Sequence, residues 1–176
     1  MLFQKGWCLI YTKPNHEKKV AKCLSECGVT CYLPLVRSLR TWHDRKKYID
    51  TPLFPSYIFV YLTTLYDYYH CQSCDGFLYF VSSGKKLAVV SDSIVNNIRI
   101  AVENGREMEV STGSFQPGNR LTVVSGPLAG LSGEMVQFKE KERILIRVNL
   151  LQRNILIAVP SENLILTNKT SLSQSS

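Results

Sequence analysis

Hydrophobic and polar positions change period several times along the chain. In GWCLIYTK, Trp7, Leu9 and Tyr11 alternate with Cys8 and Ile10, the pattern of a strand that is apolar on both faces. The period then lengthens. Val20, Cys23, Leu24 and Cys27 recur at three- and four-residue spacing, which predicts an amphipathic helix capped by Asn15 and ended by Gly28, with Lys18 and Lys22 on its wet side. Val29 to Val36 reads as a second strand, and RSLRTWHDRKKYIDTP as a loop or long hairpin. TPLFPSYIFV returns to period two: Ile58 and Val60 point one way, and Tyr57, Phe59 and Tyr61 the other. TLYDYYHCQSCDG alternates too little for a strand and predicts a short helix or irregular turn ending at Gly76. GFLYFV and LAVV predict short strands around SSGKK. Ser91 or Asp92 caps a second amphipathic helix, in which Ile94, Val95, Ile98, Ala101 and Val102 are apolar and which Gly105 follows.

The pattern lapses in REMEVSTGSFQ, where Ser, Thr and Gly dilute it. Beyond it come short β-rich runs separated by turn signals: RLTVV, EMVQF, ILIRVNL and ILIAVP, with LQRN placed to join the last two. Ile144, Ile146 and Val148 share one face, as do Ile155, Ile157 and Val159. β-branched residues crowd these runs, so strands are expected rather than helices. The reading is α+β: an N-terminal unit of antiparallel sheet and helices over 5–108, a linker over 109–116, a small β-barrel over 117–168 and a polar tail over 169–176.

Composition and charge narrow the function. A hydrophobic content of 45% is that of a globular protein, and a net charge of +7 favours a polyanionic partner. No secretory signal and no membrane-length apolar run is readable, so a cytoplasmic protein with no membrane contact is expected, and its six cysteines are expected to be reduced thiols. Cys71 and Cys74 with His70 invite a zinc reading, but a structural site needs a second ligand pair, and the expectation is two thiols in a polar turn without metal. His16, His43 and Asp44 lack a nucleophile or carboxylate partner. SGPLAGLSG lacks the Gly-Lys-Ser/Thr ending of a phosphate loop, so neither an enzyme nor a bound cofactor is expected.

One sheet face stays unexplained. Tyr11, Tyr57 and Phe59 share a parity that leaves them opposite the packed helices; either the rest of the domain covers them or they form a docking surface. At this point GWCLIYTKPNHEKKVAKCL followed by TPLFPSYIFV resembles the N-terminal domain of the NusG family of transcription elongation factors, and PGNRLTVVSGPLAGLSGEMVQF resembles its C-terminal KOW motif, an SH3-like barrel. The resemblance implies docking on the clamp helices of the largest RNA polymerase subunit and suppression of pausing or termination. Carried onto matching positions, it implies a surface of Tyr11, Phe54, Tyr57, Phe59, Val95 and Ile98. PLFPSYIFV is closer to specialised paralogues of the RfaH and UpxY kind, similar to antiterminators of long surface-polysaccharide operons, than to the housekeeping factor with Pro-Gly where Pro55-Ser56 stands.

In that kind, a basic, hydroxyl-rich patch reads the non-template DNA strand. Lys13 and Lys19 match basic positions here, with Tyr68, Tyr69, His70 and Gln72 in the corresponding turn, but Asp75 stands where the family has an arginine and Glu26 replaces another basic residue. The run holding Arg45, Lys46 and Lys47, with Trp42 inside it, is either a solvated hairpin tip or a contact with DNA or polymerase. By the same likeness the barrel's partner is a ribosomal protein or a termination factor. The competing class is an RNA-binding or ribosome-associated KOW protein acting away from polymerase, which would spread basic residues over the aromatic sheet face.

Overall fold

A computed structural model describes residues 3–41, 46–104, 108–158 and 164–166, the last three by backbone alone. The chain divides into two compact units, Met1–Val95 and Asn96–Ser176.

In the first unit, β1 (Gly6–Thr12) leads into α1 (Glu17–Glu26). Then follow β2 (Cys31–Tyr32), β3 (Leu35–Thr41), β4 (Lys46–Pro52) and β5 (Tyr57–Leu62). The unit goes on with α2 (Leu65–Ser73), β6 (Phe77–Phe80), β7 (Ser82–Ser83), β8 (Lys86–Leu87) and β9 (Val89–Val90), and α3 (Asp92–Asn104) begins at its end. The main sheet is antiparallel in the order β2-β5-β1-β6, with β9 also paired to β1. β1 sits at its centre because both of its faces are apolar, as the sequence pattern required. The register sets Tyr11 opposite Tyr57, Leu9 opposite Phe59 and Trp7 opposite Tyr61. Cys8, Ile10, Ile58, Val60 and Leu62 face the other way and form one core with Val20 and Leu24 of α1, Cys71 of α2 and Cys74 after it.

Some expectations are corrected here, and some open alternatives are decided. His16, not Asn15, is the N-cap of α1, and it makes no side-chain cap bond. Asn15 takes a left-handed turn at φ 63° and so cannot place its side chain over the first turn. The stretch read as one strand over Val29 to Val36 breaks into β2 and the start of β3 around Pro34, which has no N–H to carry a ladder. Of the two alternatives for TLYDYYHCQSCDG, the helix is the one formed, over Leu65–Ser73, started by a capping box in which Asp67 Oδ2 accepts from the backbone N–H of Thr64 while Thr64 Oγ1 accepts from that of Asp67. Ser91 caps α3 by accepting from the Ile94 N–H at 3.4 Å. RSLRTWHDRKKYIDTP resolves into the β3–β4 hairpin, a two-stranded ladder running from Leu35 opposite Pro52 to Thr41 opposite Lys46.

The second unit carries the remainder of α3 and a six-stranded antiparallel sheet. Its strands are β10 (Met108–Ser111), β11 (Arg120–Val123), β12 (Ser132–Phe138), β13 (Lys141–Val148), β14 (Arg153–Ile157) and β15 (Leu164–Leu166), in the order β10-β14-β13-β12-β11-β15. The C-terminal segment is therefore β, as its strand period predicted. Ile144, Ile146 and Val148 are buried, but so are Leu145 and Leu156, so the central strands bury both faces rather than one. A 3₁₀ turn over Asn149–Leu151, closed by Gln152 at φ 49°, makes the β13–β14 connection that LQRN predicted. The irregular stretch is 112–119. The predicted linker of 109–116 begins inside β10, whose Val110 pairs with Ile155; a single apolar residue between Glu109 and Ser111 is too little for a pattern to register. Gly105, Val159 and the tail over 169–176 lie outside the described residues.

Candidate docking and nucleic-acid surface

The sheet face opposite α1 and α2 is built from aromatic rings. Phe59 is fully buried at its middle, with Phe54 set edge-on to it at 6.2 Å and Tyr32 at 6.1 Å. Leu9 beside it is equally buried, and Trp7 packs edge-on against Tyr61 at 5.3 Å. Towards the end of β1 the cover thins. Tyr11 lies edge-on to Tyr57 and stacks on Tyr79, both with centroids 5.0 Å apart, and Tyr79 is 52% exposed. The sequence question thus has a divided answer: Phe54 and its neighbours cover the middle of the face, and the Tyr11–Tyr57–Tyr79 end stays accessible.

Local chemistry fixes that end. Ser56, the residue before β5, has φ 67° and donates its buried N–H to Glu17 Oε1 at 2.7 Å, while its carbonyl accepts from the Thr12 N–H at 2.9 Å. Glu17 is a buried carboxylate at the first position of α1, where the helix dipole favours negative charge. It ties the PLFPS turn to the helix and sets where β5 begins.

Of the six predicted docking residues, the structure brings Tyr11, Phe54, Tyr57 and Phe59 onto one sheet face and leaves Tyr11 and Tyr57 half-exposed. Phe54, Phe59, Val95 and Ile98 are buried. Sequence reasoning missed Tyr79, which pairs with Tyr11 across β6, because GFLYFV did not reveal which strand it joins.

The predicted nucleic-acid residues fall into two groups. α2 exposes Tyr66 and Tyr69, at 60% and 63%, with His70 packed on Tyr66 at 3.9 Å. Tyr68 turns inward, stacks on Phe80 at 4.7 Å and accepts from Gln72 Nε2, so one of its ring faces is already occupied. Tyr66 was missed because the short helix or irregular turn expected here carries no apolar period to show which side chains face outward. Lys46 and Lys47 are exposed on the hairpin, while Arg45 and Trp42 lie outside the described residues.

Lys13 and Lys19 are not free cations. Lys19 Nζ donates to Asp75 Oδ2 at 2.5 Å, and Lys13 Nζ lies 3.9 Å from Oδ1. The Lys19 hydrogen bond, then the charges of Lys19 and Lys13, hold the Asp75 carboxyl below its ordinary range.

The cysteines also differ from expectation. Cys23 and Cys74 form a disulfide with Cα atoms 6.1 Å apart, and Cys74 is buried rather than free in a polar turn. Their pairing comes from the packing of the α2 C-terminus against α1, which no local spacing encodes. Burial pushes the Cys8 thiol up to about 11; burial first, then the nearby Asp67 charge, pushes Cys71 up to about 12. Among the described residues no group of His, Cys, Asp or Glu could hold a metal, and no helix is long and apolar enough to cross a membrane.

The family model described as "Transcription termination factor nusG" matches residues 5–99, more than half of the chain. The chain belongs to the NusG family. Its fold is similar to a NusG structure described as "Domain interaction in Thermotoga maritima NusG", with a TM-score of 0.50 at 19% identity over 94% of this chain and 98% of that one. A chain of the MjSpt4:Spt5 complex in conformation B is similar at 15% identity and a TM-score of 0.32, over 93% of this chain and 97% of that one. NusG-family chains are transcription factors, not enzymes.

Proposed function

We propose that this NusG-family chain is an elongation and antitermination factor whose N-terminal unit docks on the clamp helices of the largest RNA polymerase subunit and suppresses pausing or termination. The observation that carries this reading is the accessible Tyr11–Tyr57–Tyr79 cluster at the end of an otherwise covered aromatic sheet face. A hydrophobic, tyrosine-rich patch of this kind suits a protein partner better than a nucleic acid.

Ser56 in the PLFPS turn supports a specialised paralogue of the RfaH and UpxY kind, acting in the cytoplasm on long operons such as surface-polysaccharide loci. Tyr66, Tyr69 and His70 on α2, with Lys46 and Lys47 on the hairpin, would touch the non-template strand by stacking and phosphate contact. The C-terminal sheet is proposed to be the KOW barrel over 117–168, recruiting a ribosomal protein or a termination factor.

Affinity for the isolated clamp-helix coiled coil is the test. Tyr57→Ala and Tyr79→Ala are each expected to weaken binding at least tenfold, the usual loss when an interface aromatic anchor is removed, with the circular dichroism spectrum unchanged. Unchanged affinity in both sinks the docking surface. Tight RNA binding without any coiled-coil binding points instead to a KOW protein acting away from polymerase.

A further inference from the structure

One face of the C-terminal sheet is covered by the chain itself. Leu145 of β13, its cross-strand partner Leu156 of β14 and Val136 of β12 are buried, although the opposite side of these strands already buries Ile144, Ile146, Ile155 and Ile157. Their cover is the irregular stretch 112–119, whose Phe115 packs on this cluster beside Phe138, ring centroids 5.8 Å apart. A polar row runs next to the apolar one. Asn154 Nδ2 donates to the Gly113 carbonyl at 2.9 Å, and Arg147, opposite Asn154 in the ladder, donates Nη2 to the carbonyls of Phe115 and Gln116 at 3.0 and 3.3 Å. Glu134 of β12 fixes that guanidinium. The stretch is held as a bound extended peptide is, by one aromatic side chain in an apolar trough and by main-chain carbonyls that accept from side chains.

We propose that this face of β12, β13 and β14 is a recognition groove for an extended, aromatic-bearing peptide segment of another protein, and that residues 112–117 are a strap competing for it from within the chain. Recognition through carbonyls leaves the neighbours of the aromatic residue free to vary. The groove asks for one ring and an extended main chain.

The strap's anchoring shows which part yields. On one side β10 pairs with β14 as far as Ser111; on the other the Asn119 carbonyl accepts from the Met135 N–H at 2.9 Å, and a side chain at Gly118 would strike the Met135 carbonyl, so the backbones touch there. Between these ends, among the described residues, 112–117 make no backbone-to-backbone hydrogen bond. They are held by Phe115, Arg147 and Asn154, with Ser111 Oγ accepting from the Gly113 N–H. The strap can therefore lift as a short loop without breaking a ladder. Lifting bares an apolar patch and removes carbonyl acceptors from Arg147 and Asn154, and an incoming segment restores both, so the exchange is of one ligand for another. A tethered strap competes at an effective concentration on the order of millimolar, which admits only a partner that binds the face more tightly.

The inference goes beyond the reading of this sheet as a KOW barrel, because the groove is defined by contacts inside the chain whichever protein the sheet recruits, and polymerase docking does not enter it. The probe is a fluorescent peptide with the sequence of residues 111–119, STGSFQPGN, titrated into the full chain. Wild type is expected to bind it weakly, and Phe115→Ala, which removes the competitor's anchor, at least tenfold more tightly. Asn154→Ala frees only the Gly113 end and is expected to gain about threefold. The same peptide with alanine in place of phenylalanine is expected to bind neither. Methyl signals of Leu145 and Leu156 are expected to shift in Phe115→Ala and to return towards their wild-type positions as the peptide fills the groove. Equal affinity of wild type and Phe115→Ala, binding that does not need the phenylalanine, or shifts away from Leu145 and Leu156 overturns the groove. So does a Phe115→Ala chain that no longer folds, since the strap is then part of the core and not a competitor. Self-association of wild type through exchanged straps, followed by sedimentation, makes a second copy the occupant and overturns the separate partner.

Discussion

At the scale of single residues, Glu17 and Ser56 decide where the docking face begins. Glu17→Ala would leave the buried Ser56 N–H without its acceptor and is expected to destabilise the N-terminal unit by about 1–3 kcal/mol, whereas Glu17→Gln, which keeps an acceptor oxygen, recovers most of that loss in urea unfolding. Ser56→Gly relieves a left-handed backbone and is expected to stabilise by about 0.5 kcal/mol. None of this was legible in the sequence. Glu17 reads as one more charge at the start of an amphipathic helix, and only the fold brings Pro55-Ser56 over it. The parity of Tyr11, Tyr57 and Phe59 was legible, because a period of two residues fixes which side chains share a face. Their separate fates, Phe59 buried and Tyr11 half-exposed, depend on Phe54 and Tyr79, and neither pairing is local.

Among the elements, long periodic segments were read with their type fixed, whereas the short segment Leu65–Ser73 was left between helix and irregular turn. α1, α3 and the strands β1 and β5 carry enough repeats for the period to show, while α2 has a single buried apolar position, Cys71, and depends on its capping box instead. In the C-terminal sheet, β12 and β13 are fastened by a charge-assisted pair. Arg147 donates Nε to Glu134 Oε1 and Nη2 to Oε2, each at 3.0 Å, and the Gly118 N–H adds a third bond. The hydrogen bonds from Arg147 hold the Glu134 carboxyl below its ordinary range. A carboxyl depressed by folding stabilises fully above its unfolded value and loses that contribution as pH falls through the folded one. Wild type is therefore expected to exceed Glu134→Gln by about 2 kcal/mol near neutrality, a difference that disappears in strong acid when unfolding is followed by amide signals of β12 and β13.

For the whole molecule, the sequence changes texture around the stretch 106–116, from long apolar periods to closely spaced short strands, whereas the two compact units part inside α3, a helix whose pattern runs unbroken through that boundary. Among the described residues, the β3–β4 hairpin pairs with no third strand, and its edges carry Arg37, Lys46 and Lys47, charges that discourage pairing with another chain. A lone hairpin of this kind is marginal in water, whereas β1 and β5 are held on both sides. In deuterated buffer the amides of β3 and β4 are thus expected to exchange well before those of β1 and β5, a gradient that mass spectrometry of peptic fragments would resolve. Such an arm can melt and re-form against whatever surface it meets while the five-stranded sheet keeps its register, so adapting to a contoured partner requires only a local opening of the chain.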